Sequence, residues 1–311
     1  MEIVKNPDYD FLGRAKYFVV LSVVLILAGF AWMAVKGIHY GVEFSGGTQL
    51  IAQFRDTPET DKVRDAVGKV APGAQIQTYG DAKTNKVLIR IAGEAAEGEL
   101  DSVAKKVVQA LSASYPGNPV TESSSEIVGP IVGAELRRTA ITLTVLGLVF
   151  QLIYIAARFK GGIWGIAASV AALHDVVVCL GFLAFFGYEI TLNVIAALLT
   201  LVGYSVNDTI VIFDRVRENL KQRRKDPLRK IINDSVNQTL TRTIISNGTT
   251  FLAVLGLYLF GGEVLQGFGF TMVVGIIVGT YSTIYIAAPL VVWWSEFSRK
   301  RQSPASAKAA L

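Results

Sequence analysis

The sequence predicts an α-helical membrane protein with six transmembrane helices and a small α+β domain inserted between the first and second. Hydrophobic residues make up 51% of the 311 residues and charged residues 18%, below the roughly 25% charged content of ordinary soluble domains. The apolar residues form six blocks, each long enough to cross the ~30 Å bilayer core as a helix. The blocks are Tyr17–Val35, Thr139–Ala157, Gly161–Phe186, Ile190–Phe213, Thr243–Phe260 and Gly267–Trp294.

The placement of basic residues predicts the orientation in the membrane. Nine of the 30 Lys and Arg lie at 214–242, a predicted basic amphipathic segment, whereas the loops at 187–189 and 262–266 have none. By the positive-inside rule, the N-terminus (1–16) and the C-terminal tail (295–311) are cytoplasmic, and the domain at 36–138 lies outside. Topology thus accounts for the net charge of +5, and we expect no nucleic-acid partner.

The single cysteine, Cys179, lies within the third block. It therefore excludes a disulfide framework and a cysteine metal site, and no metal site is predicted. The first block has 19 apolar residues and no small-residue cleavage site after it, so we expect an uncleaved membrane anchor rather than a signal peptide.

The stretch between the first two blocks predicts the element order strand, helix, strand, strand, helix, strand. The strands are predicted at Thr48–Phe54, Ala74–Tyr79, Lys86–Ile91 and Val120–Val128, with a turn at 80–85. Thr57-Pro58 predicts the cap of the first helix. The inward-facing residues of the helices and third strand are predicted to be Val63, Val67, Val70, Val87, Ile89, Ile91, Leu100, Val103, Val107 and Leu111.

This order is typical of the ferredoxin-like split arrangement. The acidic residues of the domain are scattered over predicted helix faces and have no catalytic spacing. We therefore predict a module that binds a partner or transmits movement, and not an enzyme.

Ionisable side chains inside a membrane cost about 2.5–3.5 kcal/mol, so each requires an explanation. Thr200, Tyr204 and Asp208 recur every four residues and form a polar stripe, which must face other helices or a wet cavity. Arg242 enters the membrane from the same side at comparable depth, so it is a candidate partner for Asp208. A structural hydrogen bond for Asp208 and snorkelling of Arg242 to the headgroups remain open alternatives.

Asp175 lies near the middle of the third block, beside His174. Adjacent helical residues point about 100° apart, so we expect His174 and Asp175 not to face each other. Asp175 could bond to a neighbouring helix or transfer a proton directly, and His174 is expected to be a packed imidazole whose hydrogen bonds are satisfied.

Four segments resemble signatures of the SecF family. They are GYSVNDTIVIFDRVREN at 203–219, TLTRT at 239–243 followed by GTT at 248–250, LHDVVV at 173–178, and the glycine-rich YGVEFSGGT at 40–48. The resemblance extends from about Gly13 to Trp294. The chain departs from the family pattern at Glu43, where the family usually has aspartate.

The resemblance implies a proton-driven subunit of the resistance-nodulation-division superfamily, without catalytic chemistry of its own and without a cofactor other than protons. It implies location in the bacterial inner membrane as a heterodimer with SecD, and assistance to preprotein translocation after or alongside SecA–SecYEG action, with YajC and YidC as further partners. The implied proton pathway comprises Asp208, Arg242 and Asp175, completed by an aspartate of SecD. The implied supporting residues are Asn207, Thr209, Tyr204 and Thr200, and the glycine-rich segment contributes Gly41, Glu43, Gly46 and Gly47.

Two other functions remain open at this point. One is a proton-coupled exporter of small molecules or lipids from the same superfamily; such exporters usually carry twelve spans, so this chain would need a partner. The other is a passive assembly subunit whose buried charges only join helices. An ATPase is not expected, because the predicted cytoplasmic segments have no phosphate-binding glycine–lysine loop.

Overall fold

The computed structural model describes residues 7–79, 85–91, 97–159 and 162–302. The chain divides into two compact units. The sheet unit comprises 40–143 with 190–192, and the helical unit comprises the remaining described residues.

In chain order the elements are α1 (Phe11–Lys36), α2 (Val42–Ser45), β1 (Gly47–Phe54), α3 (Thr60–Gly68), β2 (Gln75–Tyr79), β3 (Lys86–Ile91), α4 (Glu97–Ser114), β4 (Val120–Val128), α5 (Pro130–Phe159), α6 (Gly162–Phe186), α7 (Leu192–Gln222), α8 (Leu228–Phe260), α9 (Gly262–Ser282), a π-helical turn (Thr283–Ala287) and α10 (Ala288–Gln302).

The four strands form one sheet in the order β2-β3-β1-β4, and all neighbouring strands are antiparallel. β1 and β2 are therefore parallel to each other with β3 between them, which is a split β-α-β unit. The same relation joins β3 and β4 across β1. The predicted element order is confirmed, because α3 and α4 supply the two crossovers.

The core of the sheet unit lies between one sheet face and these two helices. On β1, Leu50, Ala52 and Phe54 are buried while the alternate residues are only half-buried, as a strand with one covered face requires. The predicted inward residues are buried or half-buried: Val63, Val67, Val70, Val87, Ile89, Ile91, Leu100, Val103, Val107 and Leu111.

The predicted cap of the first domain helix is wrong. α3 begins at Thr60 with Glu59 at the N-cap position. The Thr57 hydroxyl instead donates to Asn85 Oδ1 at 2.7 Å, and no side chain hydrogen-bonds to cap the start of α3. Of the turn predicted at 80–85, Asn85 has φ 53°, a conformation that asparagine tolerates well; its other residues lie outside the described ranges.

Among the described residues, six helical segments are long and apolar enough to cross a membrane. They lie at Phe11–Lys36, Ile131–Ile155, Gly162–Phe185, Leu192–Gln222, Leu228–Phe260 and Val264–Ser298. The predicted number of spans is confirmed. The basic segment at 214–242 is not a separate element, because α7 continues to Gln222 and α8 starts at Leu228. In the last span, the π-helical turn interrupts a segment that the sequence predicts as regular helix.

Helices α1 and α6 approach closely at Gly29 and Gly181. A Cβ on either glycine would lie 3.0–3.1 Å from the Cα of the other, so both positions require the smallest residue, as is common where membrane helices pack. One turn along, Trp32 Nε1 donates to the Ala184 carbonyl at 3.1 Å. This contact fixes α1 against α6 and so positions the polar side chains in the interior of the helical unit.

Candidate functional site

Asp208 lies on α7 and is only 6% exposed. Asn247 of α8 donates from Nδ2 to Asp208 Oδ2 at 2.5 Å. The carboxylate is thus held by a neutral amide, and a charge-assisted hydrogen bond of this kind is about twice as strong as one between neutral groups.

Asn247 connects three helices. Its Nδ2 group also donates to Thr280 Oγ1 of α9 at 2.7 Å, and its Oδ1 accepts from the Tyr204 hydroxyl of α7 at 2.8 Å. Sequence analysis missed Asn247, although an amide five residues into an apolar block is a signal that could have singled it out.

Arg242 is exposed and lines an open cavity of about 560 Å³. Within the described ranges, no ion pair within 4.0 Å joins it to Asp208, although its charge acts on that carboxylate. The direct pair between Asp208 and Arg242 that the sequence suggested is therefore not formed in this structure, where Asn247 binds one oxygen of Asp208. The other residues lining the cavity are Asn207, Ile210, Val211, Asp214, Arg215, Glu218, Gln238 and Thr239.

The cavity charges other than Arg242 are paired. Arg215 contacts Glu218 at 2.6 Å, and Asp214 contacts Arg158 of α5 at 2.6 Å. Among the described cations that line this cavity, Arg242 alone has no ion pair within 4.0 Å. It is therefore the charge most available to a second protein or to Asp208 in another conformation.

The supporting residues predicted from the sequence do not form one cluster. Tyr204 contacts the Asp208 network through Asn247, and the buried Thr209 hydroxyl lies 3.2 Å from Thr283 Oγ1. Asn207 is exposed at the cavity, and Thr200 is exposed with its hydroxyl donating to the Ala196 carbonyl. The predicted stripe thus turns from the interior at Asp208 to the surface at Thr200.

Asp175 of α6 is fully buried at 0% exposure. Its Oδ2 accepts from Ser205 of α7 at 2.5 Å and from Ser282 of α9 at 3.0 Å. The expectation that His174 and Asp175 do not face each other is wrong, since His174 Nδ1 lies 2.9 Å from Asp175 Oδ1. The two side chains are long enough to bend towards each other despite the 100° between their Cα–Cβ bonds. The predicted satisfied imidazole is confirmed, because His174 Nε2 lies 3.1 Å from the Tyr281 hydroxyl.

The glycine-rich segment lies in the sheet unit. Gly46 and Gly47 have φ values of 70° and 118°, conformations that side chains other than glycine rarely adopt. The Glu43 carboxylate lies over Gly41, so a Cβ at position 41 would displace the end of the Glu43 side chain.

The same carboxylate acts on β4. Partial burial raises the pKa of Glu126, and the nearby charge of Glu43 adds to this effect. Partial burial also lowers the pKa of Arg90 on β3.

The chain matches the family model "Protein export membrane protein SecD/SecF, C-terminal" over residues 107–297, and "SecD/SecF GG Motif" over residues 31–58. It is 42% identical to the protein translocase subunit SecF of Calditerrivibrio nitroreducens over 94% of this chain and 96% of that protein. It is 37% identical to the SecF of Escherichia coli O157:H7 over 91% of this chain and 87% of that protein. The chain belongs to the SecF family of protein translocase subunits.

The similarity to SecF proteins is also seen in the three-dimensional structure. The crystal structure of SecDF from Thermus thermophilus, described as a translocon-associated membrane protein, superposes with a TM-score of 0.82 at 35% identity over 94% of this chain. A second SecDF structure, in the super-membrane-facing form, superposes with a TM-score of 0.70 at 36% identity over 98% of this chain. The chain spans about two fifths of each SecDF chain, 39% and 41%. The first family model includes Asp175, Asp208 and Arg242, and the second includes the glycine-rich segment.

Proposed function

We propose that this protein works with a SecD subunit and uses the proton gradient across the bacterial inner membrane to assist preprotein translocation, after or alongside the action of SecA on the SecYEG channel. YajC and YidC are proposed as further partners. In this proposal both termini are cytoplasmic and the ferredoxin-like sheet unit is periplasmic, a topology supported by the concentration of Lys and Arg at 214–242 under the positive-inside rule.

The observation that carries the proposal is the environment of Asp208. Its carboxylate is buried within a membrane-spanning helix, yet the side chain that binds it is a neutral amide. The neighbouring cation, Arg242, acts on it from an open cavity without pairing to it. A carboxylate that gains and loses an arginine during a conformational cycle alternately releases and takes up a proton, because a nearby positive charge favours its ionised form.

A SecD subunit is supported by the exposed polar residues beside this carboxylate. Asn207 and Arg242 are both exposed on the isolated chain, and unsatisfied polar groups facing lipid cost several kcal/mol. A partner surface that covers them resolves this cost. The matching solved structures, of which this chain spans about two fifths, are SecDF proteins, which supports a SecD partner.

A passive assembly role is the second candidate, because the Asp208–Asn247 hydrogen bond joins α7 to α8 as a purely structural contact would. The two functions differ in what they require at Asp208. Assembly needs only a hydrogen-bond acceptor, whereas coupling needs a group that titrates. The proposal involves no catalytic chemistry and no cofactor other than protons.

The test is Asp208→Asn, co-expressed with the SecD subunit and measured as reporter secretion in vesicles with and without a proton gradient at matched subunit levels. We expect normal assembly and no gradient stimulation, since an amide cannot release a proton. The matched control is Asp234→Asn, which removes a carboxylate paired with Arg223 at 2.6 Å outside the site and should leave stimulation unchanged. Full stimulation in Asp208→Asn would establish the passive role instead.

A further inference from the structure

Four side chains form a continuous row of hydrogen-bonding groups through the interior of the helical unit. Ser22 Oγ of α1 lies 2.7 Å from the Tyr281 hydroxyl of α9. That hydroxyl lies 3.1 Å from His174 Nε2, and His174 Nδ1 lies 2.9 Å from Asp175 Oδ1 on α6. All three distances are within hydrogen-bonding range. The row runs from Ser22 to Asp175 without a gap.

Three of the four side chains are buried: Ser22, His174 and Asp175 are 3%, 7% and 0% exposed. Tyr281 is half-buried and lines an apolar cavity. The groups that act on Asp175 within the described part of the chain are His174 and the hydroxyls of Ser205 and Ser282. Two other titratable groups feel its charge, the Tyr281 hydroxyl and the Cys179 thiol one turn along α6. Among the described residues, no lysine or arginine forms an ion pair with Asp175.

The row can exist in two complete hydrogen-bonding patterns. In the first, Ser22 donates to Tyr281, Tyr281 donates to His174 Nε2, and His174 Nδ1 donates to an ionised Asp175. In the second, every direction is reversed: a protonated Asp175 donates to His174 Nδ1, His174 Nε2 donates to Tyr281, and Tyr281 donates to Ser22. Neutral imidazole supports both patterns, since it has one donor and one acceptor nitrogen and its two tautomers exchange them.

One proton converts the first pattern into the second. A proton added to the Ser22 oxygen displaces the serine hydrogen to Tyr281. The Tyr281 hydrogen moves to His174 Nε2, and the His174 Nδ1 hydrogen moves to Asp175. One O–H or N–H bond forms and one breaks at each intermediate group, and Asp175 ends neutral. Neither Ser205 nor Ser282 changes partner, because each can donate to either form of the carboxyl group.

We infer that Ser22, Tyr281 and His174 form an internal proton path to Asp175, so that Asp175 is a second proton-accepting group besides Asp208. The inference rests on the proposed proton-coupled function and extends it to Ser22, Tyr281 and His174, to which neither the sequence nor the family comparison assigns a proton-transfer role. Tyr281 and His174 act as relays, and Ser22 on α1 is the first group of the row.

The position of Asp175 allows its charge to affect the Asp208 site. Ser205, which donates to Asp175, lies three residues before Asp208 on α7, so the two side chains share one helix face. On α9, Ser282 donates to Asp175 while Thr280, two residues earlier, accepts from Asn247. The π-helical turn begins immediately after Ser282, and such turns are frequent at functional sites. Protonation of Asp175 weakens its bonds to α7 and α9, the same helices that hold the Asp208 network.

Tyr281→Phe tests the path, because it removes the hydroxyl and keeps the ring. Tyr285→Phe is its matched control: this residue lies one turn further along, stacks on Phe18 with ring centroids 3.8 Å apart, and has no part in the row. The measurement is infrared spectroscopy of the complex with its SecD subunit, with the protonated carboxyl band of Asp175 identified by its loss in Asp175→Asn. After transfer to heavy water, that band should shift quickly in the wild type and in Tyr285→Phe, and slowly in Tyr281→Phe. Ser22→Ala should also slow the shift of this band. It tests the path if Tyr281→Phe fails to assemble.

Reporter secretion provides the functional arm, with Asp208→Asn as reference. We expect Tyr281→Phe to lose most of the gradient stimulation and Tyr285→Phe to keep it. If Asp208→Asn abolishes stimulation while Tyr281→Phe and Ser22→Ala leave both stimulation and isotope exchange unchanged, the path is refuted and the proposed function stands. A wild-type complex with no gradient stimulation would overturn the proposed function itself. Absence of an Asp175 carboxyl band at every pH would overturn the path alone.

Discussion

Asp175 and Asp208 are both buried carboxylates within membrane-spanning helices, but their surroundings differ. Asp175 is fully buried and contacts three side chains of its own chain through both oxygens. Asp208 is bound by one amide at one oxygen, within the described ranges, and Arg242 acts on it from an open cavity. The first site is complete within this chain, and the second is not.

The difference teaches how a site divided between two subunits can be recognised from one of them. A buried carboxylate without its full set of partners is costly, so an incomplete site implies that something else completes it in the assembly. In the proposed complex, the exposed polar residues around Asp208 are where we expect the contact with SecD, whereas the described part of the Asp175 network is mostly buried. We therefore expect substitutions at the two sites to differ in what they disrupt.

The largest effect is expected at Arg242. Arg242→Gln removes the only cavity arginine without an ion pair within the described ranges and should abolish gradient stimulation. Arg242→Lys keeps the charge but loses the planar fork that can hold a carboxylate at two points, so it should retain a small part. The matched control is Arg215→Lys in the same cavity, where Glu218 pairs with the cation, and stimulation should persist. Equal stimulation in Arg242→Gln and Arg215→Lys would remove Arg242 from the mechanism.

The second effect concerns stability and separates the two carboxylates. Asp175→Asn can keep its oxygen towards Ser205 and Ser282 and donate one N–H to His174, but its second N–H meets no acceptor among the described contacts of this side chain. A buried polar group then lacks a partner, at a cost of about 1–3 kcal/mol. Asp208→Asn should cost less, since the introduced amide can still pair with the amide of Asn247 and the cavity lies close by. Thermal unfolding of the purified complex, followed by tryptophan fluorescence, should therefore show a clear decrease only for Asp175→Asn. The reverse order would show that the Asp208 site is the more completely enclosed of the two.

The elements of the fold and the charged residues of this comparison could be predicted from the sequence. The contacts of those residues could not, because they depend on side-chain directions. Hydrophobic blocks and alternation gave the six spans and the four strands, since both follow from local period. The importance of Asp175, Asp208 and Arg242 followed from their charge in apolar surroundings. Their partners could not be predicted, because Asn247 and Tyr281 come from helices whose rotation and depth depend on tertiary packing. The same limitation explains the wrong expectation for His174.

A smaller functional effect is expected at Asn247. Asn247→Ala removes the donor to Asp208 and the bonds to Tyr204 and Thr280. A hydrogen bond to a charged group contributes about 1.5–3 kcal/mol, so gradient stimulation should fall in part while assembly persists. Thr249→Ala is the matched control, since that exposed residue bonds only to carbonyls of its own helix. If both variants behave alike, the amide does not contribute to the site.

The smallest effect is expected at Glu126, a carboxylate of the sheet unit that serves as a reference outside the membrane. Partial burial and the charge of Glu43 raise the pKa of Glu126 above its ordinary value of 4.5. The folded state therefore binds this proton more readily than the unfolded state, so stability from this group is present below pH 4.5 and is lost as pH rises through the folded pKa. Glu126→Gln should remove that dependence and make β1 and β4 slightly more protected at neutral pH. The pH dependence of this protection is measured by hydrogen exchange of peptides from these strands between pH 4 and 7, corrected for intrinsic exchange rates. The control is Glu122→Gln on the same strand. If protection falls more steeply with rising pH in Glu126→Gln than in the wild type, the pKa of Glu126 is not raised as stated. If protection in the wild type does not change with pH, solvent screens Glu126 despite its partial burial.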